Sequence, residues 1–396
     1  MNRRRLFPLV VAALACTLLA GCFSFRREAP RPGRTTLSSP PVILPAERLG
    51  TYLVVEGKWD RGGPWRFLID TGANTTLVTP EFAKRYGIRD PAAAPAGPVS
   101  VLSADGRPVI LEAVTIGRIA LGDARFENIS ARIYDCASLS AHLGVKIDGI
   151  LGFPLFRETL LTFDYPRNRI VLARPDRDAL IPGLAVPFNN TNKTPLINVR
   201  LGDRSFLVLL DSGSDAALTL NPVGLDPVFA FGPRIGSTVS TLSGDRPQRL
   251  GRLAGTLTVA DYPLPGPIAD LTDDLSALGG AILQNFTVTF DQERDRVTFY
   301  RDSPGPIASA ARRSPGVSFA KTPAYWRVAS VVPASPAAAV GVEAGDLVTR
   351  INGEPVARWD FRRYEQLVAA GGEIAFTFLN GTAETEWRVP VFDLVP

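Results

Sequence analysis

One histidine and three cysteines in 396 residues set the first limits on this sequence. A Ser-His-Asp or Cys-His arrangement has to use His142, and the surrounding SLSAHLGVKIDG carries no nucleophile signature. His142 therefore reads as a surface or helix-end residue. No His pair or Cys pair stands at ligand spacing, so no metal is expected. Cys16 and Cys22 fall at the N-terminus, which leaves Cys136 alone as a buried thiol without a disulfide partner. Charge of one sign is also missing. Lys and Arg number 43 against 39 Asp and Glu, the net charge is +4, and the basic residues are scattered, so composition gives no ground for a nucleic-acid partner. Helix-period segments are few. Short Val, Leu, Ile, Thr and Phe runs between turn residues, with 35 Gly and 34 Pro, indicate a mainly β protein. At 45% hydrophobic residues a chain of this length can bury more than one core, which suggests two or three domains.

The N-terminus differs from the rest. Arg3, Arg4 and Arg5 lead into the apolar run Leu6 to Leu19, too short for an ordinary transmembrane helix and built like an export signal. Leu19-Ala20-Gly21-Cys22 resembles the bacterial lipobox, in which cleavage before the cysteine is followed by lipidation of its thiol. The expectation is a signal peptide over 1–21, a lipid anchor at Cys22 that ties the protein to a membrane of the bacterial cell envelope, and a Pro-rich tether over 22–46.

Beyond residue 46 the sequence repeats itself. TYLVVEGKWDRGGPWRFLIDTGA (51–73) and PLINVRLGDRSFLVLLDSGS (195–214) each read as a strand, a Gly/Asp turn and a second strand that ends at an aspartate, then Thr or Ser, then Gly. VSVLSADGRP (99–108) matches VSTLSGDRP (239–247). GILGFPLFRETLLTFDYPRNRIVL (149–172) matches LGGAILQNFTVTFDQERDRVTF (278–299) with Gly152 on Gly279 and Asp164 on Asp291. The offsets are 141 at the aspartates (211 minus 70), 140 at Val99 and Val239, and 127 at the last two pairs, collinear as in a duplicated domain. Lobe one is placed at 47–176 and lobe two at 183–302. From 314 to 394 the order becomes strand, strand, short Ala-rich helix, strand and turn, longer helix, closing strands.

A single Asp-Thr/Ser-Gly is weak, since on the order of 0.2 chance occurrences is expected in a chain this long. Read alone it is a turn, with Asp and Thr bonding local backbone and Gly supplying positive φ. Two copies, each ending an apolar hairpin strand, are harder to read that way, because turn aspartates are usually exposed rather than driven into a core. Two carboxylates held a few ångströms apart cannot both ionise. They share a proton, so one can act as base and the other as acid at once.

Asp70-Thr71-Gly72-Ala73 and Asp211-Ser212-Gly213-Ser214, followed by Ile150-Leu151-Gly152 and Ala277-Leu278-Gly279, resemble the two half-sites of an aspartic protease of the short-lobed retropepsin type. SPAAAVGVEAGDLVTRINGEPV resembles a bacterial PDZ domain, with Gly316, Val317, Ser318 and Phe319 standing where that family has its carboxylate-binding loop. The resemblance implies a bilobal acid-protease fold of two β-barrel lobes followed by a small α+β PDZ domain. It implies Asp70 and Asp211 as the catalytic pair, with Thr71, Gly72, Ser212, Gly213 and Ser214 as loop support and no cofactor. It also implies flap hairpins over the cleft, with Ser103, Asp105, Ser243 and Asp245 at their polar tips. Asn74 and Asp215, two residues past each glycine, read as substrate contacts or as loop caps, and both readings stand open.

The half-sites differ at Ala73 and Ser214. A hydroxyl donated to a carboxylate favours ionisation, so the expectation is that Asp211 is the more readily ionised and Asp70 holds the shared proton. The function implied is an envelope aspartic endopeptidase that takes peptide or protein substrates and recruits them through a PDZ-bound peptide. Two other readings remain: a non-catalytic peptide-binding scaffold, and half-sites that pair between chains.

Overall fold

The computed structural model describes residues 33–88, 98–103, 106–176, 178, 180–303, 305–322 and 324–396. Tyr52–Trp59 and Gly62–Asp70 form a hairpin that turns at Asp60 and Arg61, both left-handed with φ of 52° and 55°. Such a two-residue turn matches the twist of the strands it joins. Phe67, Leu68 and Ile69 are all buried, so the second strand is gripped on both faces up to Asp70. In the second lobe Leu196–Leu201 and Arg204–Leu210 pair in the same way and end one residue before Asp211.

A further strand runs behind each aspartate. Gly149–Gly152 lies parallel to the first hairpin, with Gly152 opposite Asp70, and antiparallel to Thr76–Val78. Ala277–Leu278 lies parallel to Arg204–Leu210, with Leu278 opposite Leu210, and antiparallel to Leu218–Leu220. A methyl on Gly152 would stand 2.5 Å from the Thr75 carbonyl oxygen, and one on Gly279 would collide with that of Ala216. This is why each apolar pair ends in glycine.

The lobes are joined by a seam. Leu160–Asp164 pairs antiparallel with Thr287–Asp291, and the matched residues Thr162 and Thr289 face each other with their Oγ1 atoms 2.9 Å apart. Arg169–Ala173 and Val42–Leu49 extend the sheet on one side, Arg296–Tyr300 and Leu184–Pro187 on the other. Beneath it one hydrophobic core runs through both lobes, with Phe153 and Phe163 packed edge-on against Phe290 at 5.3 and 6.1 Å.

Residues 34–46 correct the expected tether. Arg34–Leu37 pairs with Ala124–Ile133, and Val42–Leu49 pairs with Tyr52–Trp59 as well as with Arg169–Ala173. Val42 and Leu44 alternate with exposed neighbours and are buried, the period of a half-buried strand. The proline-rich composition concealed that period. Cys22, the signal segment and the rest of the expected tether up to residue 32 lie outside the described residues.

The C-terminal unit has its own core around Phe319, Trp326, Tyr364 and Phe376. Its main sheet runs in the order Val317–Lys321, Trp326–Val331, Leu347–Ile351, Glu373–Asn380, Ala383–Pro390, so Val317–Lys321 is an edge strand. Ser335 caps the short helix Pro336–Ala339, accepting from Ala338 N, and Asp360 caps Phe361–Ala370, accepting from Arg363 N at 2.7 Å. Of the four residues expected in a loop, only Gly316 (φ 93°) precedes the strand. Val317 to Phe319 are already in it, because Val317 and Phe319 turn into the core. The described residues from 33 to 396 form one compact unit.

Candidate active site

The hairpin ends bring the two Asp-Thr/Ser-Gly loops against each other through four reciprocal hydrogen bonds. Thr71 N donates to Ser212 Oγ and Ser212 N to Thr71 Oγ1, each at 3.0 Å. Thr71 Oγ1 donates to Leu210 O at 2.6 Å, and Ser212 Oγ donates to Ile69 O at 2.9 Å. Both residues are buried, and each hydroxyl makes one donation and one acceptance. The two half-sites therefore meet within one chain, which removes the reading in which they pair between chains.

Glycine follows each hydroxyl residue because the opposite carboxylate is there. A methyl on Gly72 would stand 2.5 Å from Asp211 Oδ1, and one on Gly213 would collide with the Asp70 carboxylate. Gly72 N and Ala73 N both donate to Asp70 Oδ1, at 2.8 and 3.2 Å. Asp211 Oδ1 accepts from Gly213 N at 2.9 Å, whereas Ser214 N turns to the Asp211 main-chain oxygen.

The proton assignment expected from Ser214 finds no hydrogen bond to support it. Its Oγ accepts from Ala216 N at 3.2 Å and, among the described residues, makes no hydrogen bond to Asp211. Burial lifts the Asp70 carboxyl above its ordinary value, but the Gly72 amide, the bond from Asp211, the Ala73 amide and the Gly213 amide all pull it back. Burial lifts Asp211 further, and the negative charges of Asp70 and then Asp215 add to it against the single pull of Gly213 N. Asp211 thus keeps the shared proton and Asp70 carries the charge.

A cavity of about 1740 Å3 opens over the pair, and both Asn74 and Asp215 line it. Tyr52 lines it too, a residue the sequence reading passed over: its buried hydroxyl accepts from Asp215 N. Burial first, then the charges of Asp215, Asp211 and Asp70, hold the phenol well above its usual range, so Tyr52 stays a neutral brace between the lobes. Its only sequence signal was an aromatic at the start of the first hairpin.

The flaps are Val99–Leu102 with Pro108–Leu111, and Phe229–Thr241 with Gly244–Leu253. Their tips touch: Ser243 N donates to Ser103 Oγ at 3.1 Å, and Ser103 is buried in that contact. Asp105 and the Asp245 side chain lie outside the described residues. His142 ends the helix Ala137–Leu143 and faces the cavity with its ring 6.4 Å from that of Phe361. Burial pushes the Cys136 thiol up to about 12, so this lone cysteine is unreactive at neutral pH.

With this geometry in place, comparison with known proteins adds two matches along the chain. Residues 55–155, which include Asp70 and Gly152, match the family model described as aspartyl protease. Residues 327–378 match that described as PDZ domain. One chain thus carries a segment similar to aspartyl proteases and a segment similar to PDZ domains. Among solved structures the chain is similar to the aspartic proteinase from Irpex lacteus, at 14% identity and a TM-score of 0.41, over 66% of this chain and 97% of that one. No curated protein matches. The PDZ domain turns part of its own surface toward the cavity: Phe361, Glu365 and Val368 of the helix Phe361–Ala370 line it along with the aspartates.

Proposed function

We propose that this protein is a single-chain aspartic endopeptidase of the bacterial envelope, built from two duplicated lobes, lipid-anchored at Cys22 and facing the periplasm or exterior. The observation that carries the reading is the pair of carboxylates clamped by reciprocal Thr71 and Ser212 bonds and raised unequally by their surroundings, in the floor of a cleft. Buried carboxyls cost free energy, and a fold that binds peptides alone has no use for two of them at one point.

The chemistry follows from that asymmetry. Asp70, ionised, accepts a proton from a water held between the carboxyls while the water oxygen attacks the scissile carbonyl carbon. Asp211 gives its proton to the carbonyl oxygen, and a neutral diol forms. Collapse of the diol breaks the C–N bond: one diol hydroxyl returns its proton to Asp211 as the carbonyl re-forms, and the departing amine takes the proton that Asp70 acquired. The flaps lie over this site and exclude bulk water once an extended peptide fills the cleft. The PDZ domain raises the local concentration of substrate by holding part of it.

The test uses residues 23–396 and a mixed peptide library, with Asp70→Asn and Asp211→Asn as controls. Cleavage is expected from the parent protein, inhibited by a hydroxyl-bearing transition-state mimic, and lost in either variant. Cleavage that survives either substitution overturns the dyad. Cys22→Ser is expected to release the full-length protein from membranes into the soluble fraction.

A further inference from the structure

The cavity that holds the aspartates continues past the protease lobes. It runs on between the edge strand Val317–Lys321 and the helix Phe361–Ala370 of the PDZ domain, with Val317 and Ser318 on one wall and Glu365 and Val368 on the other. An edge strand presents a row of backbone donors and acceptors, and PDZ domains take a peptide there as an added strand. Gly316, left-handed at φ 93°, opens the strand. A peptide paired antiparallel keeps its carboxyl terminus at the Gly316 end and sends its upstream residues past Lys321.

At that exit stands the first protease lobe. A Cβ on Gly144 would lie 3.1 Å from Lys321 Cδ and 3.1 Å from Phe361 Cδ2. The helix Ala137–Leu143 that precedes Gly144 lies against the edge strand. His142 and Val145, on either side of Gly144, line the same cavity as Asp70, so a chain leaving the groove passes along the lobe-one wall into the cleft. The helix side of the tract is closed as well. Glu365 Oε1 stands 3.4 Å from the position of a Gly50 Cβ, and desolvation, then repulsion from Asp215, raises the Glu365 carboxyl against the pull of Arg312 and Arg48.

We propose that groove and cleft form a single tract for a single polypeptide, so that the enzyme engages proteins by a free carboxyl terminus and cuts them at a fixed short distance upstream of it. The inference rests on the aspartic endopeptidase reading and deepens it by naming the substrate class. It differs from recruitment by loose tethering, where the docked segment and the cut bond can lie any distance apart. The strand can pair roughly five residues at about 3.3 Å each, so the cut falls upstream of those.

The test is a set of thirty-residue peptides, which reach roughly 100 Å when fully extended. They are offered as free acids and as C-terminal amides, and the products are read by mass spectrometry. Free acids are expected to be cut at an offset from the terminus that stays constant when the sequence is slid along the peptide. Amides are expected to lose at least tenfold in kcat/KM, mostly through KM, and Val368→Arg, which fills the groove, is expected to abolish the fixed offset. Equal cleavage of acids and amides at positions set by local sequence overturns the proposal and leaves the protease reading standing. A second measurement is independent of activity: the Asp70→Asn, Asp211→Asn double variant is mixed with peptides carrying a photoreactive residue upstream of a free terminus. Cross-links to residues 73–75 or 214–216 are expected. Cross-links confined to 317–321 and 361–368 overturn the single tract whether or not the parent protein cuts.

Discussion

Which of two chemically identical acids keeps a proton turns here on backbone amides and one neighbouring charge. Ala73 N reaches Asp70, Ser214 N does not reach the Asp211 carboxylate, and Asp215 sits near Asp211. The difference between Ala73 and Ser214 was legible in the sequence, but its effect was not, because the sequence does not say that the Ser214 hydroxyl makes no bond to Asp211. Ser214→Ala should therefore leave the acid limb of the pH-rate profile in place. Asp215→Asn should move the basic limb to lower pH, since loss of the neighbouring negative charge lowers the Asp211 value; a basic limb that stays put removes Asp215 from the assignment. The pair also bears on stability. Both carboxyls are raised in the folded protein, so the native state holds a proton that the unfolded chain releases. That stability is fully present below the unfolded carboxylate value of about 4 and is lost as pH rises through the folded value. Asp211→Asn should accordingly raise Tm at pH 7 to 8 and flatten the fall of Tm with pH, as a series of thermal melts would show.

At the scale of elements, strands with a strong local signal were readable. FLIDTGANTTL announces its strand by three buried apolar residues and its turn by Gly, and the hairpin turn at 60–61 follows from the Asp and Gly around it. The strands between 34 and 46 were hidden because prolines, which remove ladder donors, dominate the local composition while burial alternates beneath them. The link between the loops is tertiary and was named only through resemblance. Thr71→Val should cost about 2–4 kcal/mol in denaturant unfolding, since it strips Leu210 O of its donor and Ser212 N of its acceptor. The same variant should lower kcat more than it raises KM, because it loosens the aspartates rather than the peptide contacts. A change confined to KM would assign Thr71 to substrate binding.

For the whole molecule, the decisive arrangement is the seating of the PDZ domain on the protease lobes, and nothing in the sequence foretold it. Glu365 belongs to a helix whose local pattern concerns only its own core, and its nearness to Gly50 exists only in the packed chain. The joint has two parts. Leu250, Val332, Leu394 and Val395 form a small apolar cluster, and Thr238 N of the second flap donates to Ser330 Oγ, which pairs at 2.6 Å with Ser318 of the edge strand. Leu394→Ala should cost about 2–5 kcal/mol and speed hydrogen exchange in both the second flap and the edge strand, where exchange confined to one of them would mean that the two move separately. The seam between Leu160–Asp164 and Thr287–Asp291 carries a consequence in time. Asp211 follows Asp70 by 141 residues, and the strand that fastens the second lobe to the first comes later still. At a synthesis rate of about 5–20 residues per second, the first acid waits roughly 7–28 s for its partner. During that interval the growing chain holds a lone carboxylate and half a seam, so the paired-carboxylate site is assembled only once nearly three hundred residues have been made.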